Sequence, residues 1–120
     1  MVVEDEWLVR MEIADALTEA GWTVIEAASG EAAITVLEQA PHIDLLVTDI
    51  RLTGPVTGWD VAEKYRDARS DVVVIYCSGN PSDKERQVKG SVFLPKPCRI
   101  DLLLHIARPG PPQGTKPPRA

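Results

Sequence analysis

Five short apolar runs alternate with segments of helical period along the first 107 residues, and this alternation limits the possible folds more than any other feature. The most regular run is Val72-Val73-Val74-Ile75-Tyr76-Cys77, nearly all β-branched or aromatic, as suits a central parallel strand. Leu45-Leu46-Val47 is too short for a free-standing helix and reads as a strand buried on both faces. Residues 23–27 and 91–94 give two more strands, and Val2-Val3 gives a first strand shorter than the usual five or so residues.

Between these runs the period changes. Over 7–20, Val9, Ile13, Leu17 and Ala20 recur at steps of three or four, and Gly21 stops the helix. Ser29 is placed to cap a helix over 30–40, with Glu31 in its first turn, an apolar stripe of Ala33, Ile34 and Leu37, and Pro41 closing it. Residues 53–58 are a loop by composition, and a helix from about 59 to 68 turns Val61, Ala62 and Tyr65 inward. Residues 82–89 are polar apart from Val88 and predict one short helical turn or an irregular stretch. The last helix, 99–107, points Leu102, Leu103 and Ile106 inward and stops before Pro109. Strict alternation with short connections implies an α/β fold with a parallel sheet covered on both faces.

A chain of 120 residues suits one domain and one core. No apolar run approaches the roughly 20 residues a membrane helix needs. The start, Met-Val-Val-Glu-Asp-Glu, is unlike a secretory signal, so a cytoplasmic location is expected. Cys77 and Cys98 lack metal-site spacing and read as two reduced thiols. The net charge is −5, and Arg108, Lys116 and Arg119 fall in the last thirteen residues, which hold no acid, so the body is more acidic still. That balance argues against a nucleic-acid surface and suits a divalent cation. The tail, 108–120, is rich in Pro and Gly and is expected to be disordered.

Four places with chemical potential each follow a strand: Glu4-Asp5, Asp49, Ser78 and Lys96. In a parallel sheet all four share one edge, where α/β folds collect ligands. Taken singly, an Asp after a strand is usually a turn former, and Ser78-Gly79 is a turn. Lys96 between two prolines has a more constrained direction. Together the groups describe a phosphoryl-accepting site. Two carboxylates and a main-chain carbonyl suit Mg²⁺, Asp49 is a carboxylate nucleophile, and Lys96 and Ser78 can bind phosphate oxygens.

The sequence resembles the receiver domain of bacterial two-component response regulators. The matching blocks are Val-Val-Glu-Asp-Glu at 2–6, Leu-Leu-Val-Thr-Asp-Ile-Arg-Leu at 45–52, Tyr-Cys-Ser-Gly at 76–79 and Phe-Leu-Pro-Lys-Pro at 93–97. The resemblance covers residues 1–107 and implies a flavodoxin-like three-layer sandwich with strand order 2-1-3-4-5. It implies that Asp49 is the phosphoacceptor of a His-to-Asp phosphorelay, with a histidine kinase or histidine phosphotransfer protein as donor. It further implies Mg²⁺ bound by Asp5, Asp49 and the Arg51 main-chain carbonyl, with Glu4 acting through water. Ser78 takes the switch-hydroxyl position, Phe93 the switch-aromatic position and Lys96 the phosphate-pairing position, with a cis Lys96–Pro97 peptide. Phosphorylation would then reshape the face around the fourth helix, fifth strand and last helix for partner binding. Arg51 and Asn80 occupy the positions that tune phosphoryl lifetime.

Two departures from that pattern stand out. The interval from Ser78 to Lys96 is short by about one helical turn, so the fourth helix is expected to be shortened. The loop after Asp49 is slightly long. A stand-alone receiver, monomeric or weakly dimeric, is expected. Two other readings remain: a receiver-like interaction module that is never phosphorylated, and a haloacid-dehalogenase-type phosphatase. The latter needs a second acid two residues after the first, where this chain has Arg51. His42 and His105 are isolated, His105 reads as a surface or boundary residue, and Trp7, Trp22 and Trp59 read as packing residues.

Overall fold

Each apolar run becomes a strand of one parallel sheet in the computed structural model, which describes residues 1–39, 42–79 and 83–107. The strands are β1 (Val2–Val3), β2 (Glu26–Ala27), β3 (Leu45–Thr48), β4 (Val73–Ser78) and β5 (Val92–Pro95), in the order β2-β1-β3-β4-β5. Every pairing is parallel. The helices are α1 (Trp7–Glu19), α2 (Gly30–Glu38), α3 (Gly58–Ala68) and α4 (Ile100–Ala107), and one 3₁₀ turn spans Lys84–Arg86.

Alternation along the strands divides the core into two layers. Val3, Leu46, Val74 and Tyr76 pack against Ala33 of α2 and Val61, Ala62 and Tyr65 of α3. Val2, Leu45, Val47, Ile75 and Leu94 pack against Ile13 and Leu17 of α1 and Leu103 and Ala107 of α4. Each fully buried aliphatic side chain contributes on the order of 1.5–3 kcal/mol. The result is the three-layer α/β sandwich with the flavodoxin-like strand order that the resemblance implies.

Local chemistry sets the helix ends. Ser29 Oγ accepts from the Ala32 amide at 3.1 Å, and Gly21, with φ of +103°, follows α1. Helix α3 starts on a capping box. Thr57 Oγ1 accepts from the Asp60 amide at 3.2 Å, and Asp60 Oδ2 accepts from the Thr57 amide at 2.9 Å.

Several expectations change. β2 holds two residues instead of five because its partner β1 supplies only two. Ala20 lies beyond the end of α1 and is exposed. Leu102 is exposed, and the stripe of α4 runs instead through Leu103 and Ala107, four residues apart. Trp22 and Trp59 do pack in the core, but Trp7 is 60% exposed in the first turn of α1. His105 is exposed, and His42 pairs with Asp44 at 3.0 Å, at the start of β3 and away from Asp49.

The shortened fourth helix takes the form of the single 3₁₀ turn. Arg86 holds it to α3 through Asp60 and Glu63, each at 2.8 Å. Val88 packs against the core as expected, and its amide donates to Tyr76 Oη at 3.2 Å. Asn80 and the tail from 108 onward, for which a lifetime role and disorder were expected, lie outside the described residues. No helix among the described residues is long and apolar enough to cross a membrane.

Candidate functional site

With five parallel strands the carboxyl ends form one rim, and side-chain parity decides which groups meet there. Glu4 is in phase with Val2, Asp49 with Val47 and Lys96 with Leu94, and those three anchors all face α1 and α4. The three polar side chains therefore turn toward the same side of the rim. Lys96 Nζ lies 2.8 Å from Asp49 Oδ2 and 2.9 Å from Glu4 Oε1. Carboxylate oxygens of Glu4, Asp5 and Asp49 lie within 4.8 Å of one another. The gathering of the acidic pair, Asp49 and Lys96 at one rim is as the sequence predicts.

Burial shapes the electrostatics. Glu4 is 2% exposed and Asp49 7%. Desolvation raises the Glu4 carboxyl above its usual range, against the opposing hydrogen bond from Lys96. Burial works against the Lys96 charge, but hydrogen bonds to Asp49 and Glu4 outweigh it and raise the ammonium pKa. Partial burial likewise opposes ionisation of Asp5, but hydrogen bonds, the first from Thr53, prevail and lower its pKa. At neutral pH Lys96 is thus a resident cation among the acidic side chains.

The donor set fits a hard divalent ion. All the acidic donors are oxygen, and Mg²⁺ takes such ligands at about 2.1 Å, so opposite donors stand roughly 4.2 Å apart. The observed 4.8 Å spread closes to that with a small side-chain movement or with one donor acting through water. Glu4 is committed on both oxygens, to Lys96 and, at 3.1 Å, to the Glu6 amide, and so is Asp49, to Lys96 and, at 2.6 Å, to the Ile50 amide.

Five supporting residues escaped the sequence reading. Thr53 Oγ1 donates to Asp5 Oδ2 at 2.8 Å, so the loop after β3 fixes the acid after β1. Arg10 Nη1 donates to the Glu4 carbonyl at 2.7 Å, tying α1 to the same turn. Gly58 packs directly on the Asp49 main chain; a Cβ there would lie 2.8 Å from the Asp49 carbonyl carbon and the Ile50 Cα, and closer still to the Asp49 carbonyl oxygen. The Thr57–Asp60 capping box holds that contact, and its Thr-x-x-Asp spacing was a usable signal.

The other expected site residues are placed as follows. Ser78 ends β4, is buried, and its carbonyl accepts from the Lys96 amide at 2.7 Å, which brings the lysine's main chain beside it. Phe93 stands opposite Tyr76 on β5, half-buried, with Lys84 Nζ 5.3 Å from its ring centre. Arg51 is exposed, one residue past the buried Ile50. The Lys96–Pro97 peptide is cis.

Comparisons with known proteins agree with this geometry. Residues 1–108 match the family model of the response regulator receiver domain, and the chain belongs to that family. It is 34% identical over 108 residues to the sensor kinase CckA of Brucella abortus, covering 86% of this chain and 11% of that protein. It is 31% identical to the transcriptional regulatory protein TcrA of Mycobacterium tuberculosis, covering 92% of this chain and 46% of that one. The chain thus spans less than half the length of these two relatives. A response regulator receiver protein from Sinorhizobium medicae superposes with a TM-score of 0.82 at 32% identity, covering 89% of this chain and 86% of that one. The response regulator TrrA of Thermotoga maritima, solved with Mg²⁺ and BeF, shares the fold, with a TM-score of 0.77 at 24% identity over 89% of this chain and 93% of that one. Receiver domains are regulatory modules, typically phosphorylated by histidine kinases or phosphotransfer proteins, and the acidic pocket here is compatible with Mg²⁺ and phosphorylation.

Proposed function

We propose that this chain accepts a phosphoryl group on Asp49 from a phosphohistidine of a histidine kinase or histidine phosphotransfer protein. The observation that carries the proposal is the convergence on Asp49 of Lys96, at 2.8 Å, with Glu4 and Asp5 alongside. An Asp49 carboxylate oxygen attacks phosphorus, an acyl phosphate forms, and the phosphorus–nitrogen bond breaks with its electron pair staying on imidazole. Mg²⁺ would be held by Asp5, Asp49 and the Arg51 main-chain carbonyl, with Glu4 acting through water, and would neutralise charge on the transferring group. Lys96 leaves its acidic partners to pair with a phosphate oxygen, and the Ser78 hydroxyl donates to another. Ser78 and Phe93 then carry the change to a partner-binding surface beside β5, while Arg51 and Asn80 tune the lifetime. The receiver unit is residues 1–107, acting in the cytoplasm as a monomer or weak dimer.

The test is incubation with acetyl phosphate and Mg²⁺, read by intact mass for wild type and Asp49→Ala. One phosphoryl mass gained by wild type and none by the variant is expected. A gain in both would move the acceptor elsewhere. No gain in either would favour an interaction module that is not phosphorylated.

A further inference from the structure

The two cysteines, far apart in sequence, lie behind the acidic rim in the same layer of the fold. Cys77 is buried at the end of β4, level with Asp49 on β3, since Thr48 pairs with Tyr76. It is in phase with Ile75 and so faces the α1 and α4 side. Cys98 follows Lys96-Pro97 and packs against the same apolar layer. β5 pairs directly with β4, with Leu94 opposite Cys77, and the Lys96 amide donates to the Ser78 carbonyl. The chain therefore leaves β5 beside the tip of β4, with Cys98 two residues beyond Lys96. Each thiol is the largest influence on the other's ionisation. Their surroundings differ. Cys77 has almost no exposure, whereas Cys98 is half-buried and borders a groove of about 380 Å³ lined by Glu6, Val9, Glu12, Lys96 and Pro97.

We propose that Cys77 and Cys98 are a thiol pair that closes to an intramolecular disulfide under a peroxide-class oxidant, with Cys98 attacking first and Cys77 resolving. The inference does not depend on phosphorylation of Asp49. The neighbouring Cys77 thiol, outweighing burial, lowers the Cys98 thiol pKa, while Cys98 together with burial raises that of Cys77. The half-buried sulfur is thus also the better nucleophile. Cys98 sulfur attacks a peroxide oxygen, the O–O bond breaks, and hydroxide leaves and is protonated to water. Cys77 sulfur then attacks the sulfenic sulfur, the S–O bond breaks, and the departing hydroxide takes the Cys77 proton. In sum, two thiols and one hydrogen peroxide give one disulfide and two waters. Disulfides in reducing compartments are characteristically transient and redox-sensing, so reduced thiols at rest fit the same assignment.

The experiment treats the reduced full chain with stoichiometric hydrogen peroxide. The chain is then denatured, alkylated with N-ethylmaleimide and weighed intact. The expected product has lost the mass of two hydrogens, takes no alkyl group, and recovers both alkylation sites after dithiothreitol. Cys98→Ser keeps the buried thiol in place and guards against misfolding of a core variant; by circular dichroism it stays folded, and after peroxide it retains one alkylatable thiol. Two alkylatable thiols in oxidised wild type would overturn the proposal. So would added oxygen without loss of hydrogen, or a disulfide found only between two chains on a non-reducing gel.

Discussion

Replacing Lys96 by Met removes the ammonium while keeping a side chain of similar length. Coulomb's law at an effective dielectric near 20 gives roughly 6 kcal/mol for a contact of this length before desolvation. Desolvation takes back most of that, and breaking a buried pair by removing one partner commonly costs about 3–5 kcal/mol. The Lys96 side chain is 25% exposed, so solvent screens part of the loss, and a destabilisation of about 2–3 kcal/mol at pH 7.5 is expected. The cost depends on pH. Glu4 in the fold already has a raised pKa, from burial first, and losing the lysine's hydrogen bond raises it further. A carboxyl whose folded pKa is raised lowers stability as pH climbs from its unfolded pKa through its folded one. In the variant that window widens upward, so the gap to wild type is larger at pH 7.5 than at pH 5. Urea unfolding by circular dichroism at low salt measures it. Added Mg²⁺ is expected to stabilise the variant more than wild type, because its three carboxylates have lost their resident cation. A gap below about 0.5 kcal/mol at pH 7.5, or an equal gap at both pH values, would refute this account of the site.

Other perturbations follow from single contacts. Gly58→Ala forces a Cβ into the Asp49 main chain, and a loss of about 2–3 kcal/mol in urea unfolding is expected, with slower uptake from acetyl phosphate. Arg86→Ala frees the 3₁₀ turn from Asp60 and Glu63, but these pairs are well solvated, so a loss of only about 0.5–1 kcal/mol, shrinking in high salt, is expected from the same titration. Tyr65 donates to the Ala33 carbonyl at 2.7 Å, and burial pushes its phenol up to about 12. Stability therefore falls between pH 10 and 12, where the unfolded phenol ionises and the folded one does not, by roughly 1.4 kcal/mol per pH unit. Tyr65→Phe, weakened by about 1 kcal/mol at neutral pH, should lack that part of the alkaline slope in denaturant titrations from pH 9 to 12.

The parts of the site legible in the sequence were those that directly follow an apolar run. Asp49 stands two residues beyond Leu45-Leu46-Val47, and Lys96 two beyond Leu94, so strand direction alone carries them to one rim. What could not be read were contacts made across the fold. Nothing local to Thr53 says that its hydroxyl meets Asp5, 48 residues away, or that Arg10 reaches the Glu4 carbonyl. The extent of β2 depended on its partner, because a ladder cannot outrun the two residues of β1. Leu102 failed for another reason: in a short helix whose leucines are consecutive, periodicity cannot fix the phase, and only the packing against α1 selects Leu103. The box at Thr57 and Asp60 was visible but was overridden by the Gly and Pro content around it.

Asp60 does two jobs with two oxygens. Oδ2 closes the cap on Thr57, and Oδ1 grips Arg86. The 3₁₀ turn is thereby pinned to the first turn of α3, whose opening glycine rests on the main chain of Asp49. A pull on the 3₁₀ turn has a route of three contacts to the aspartate, with no long lever between them. Where a full helix would spread such a load over several turns, this chain concentrates it on the two carboxylates that hold Arg86, and Asp60 passes it on to the cap.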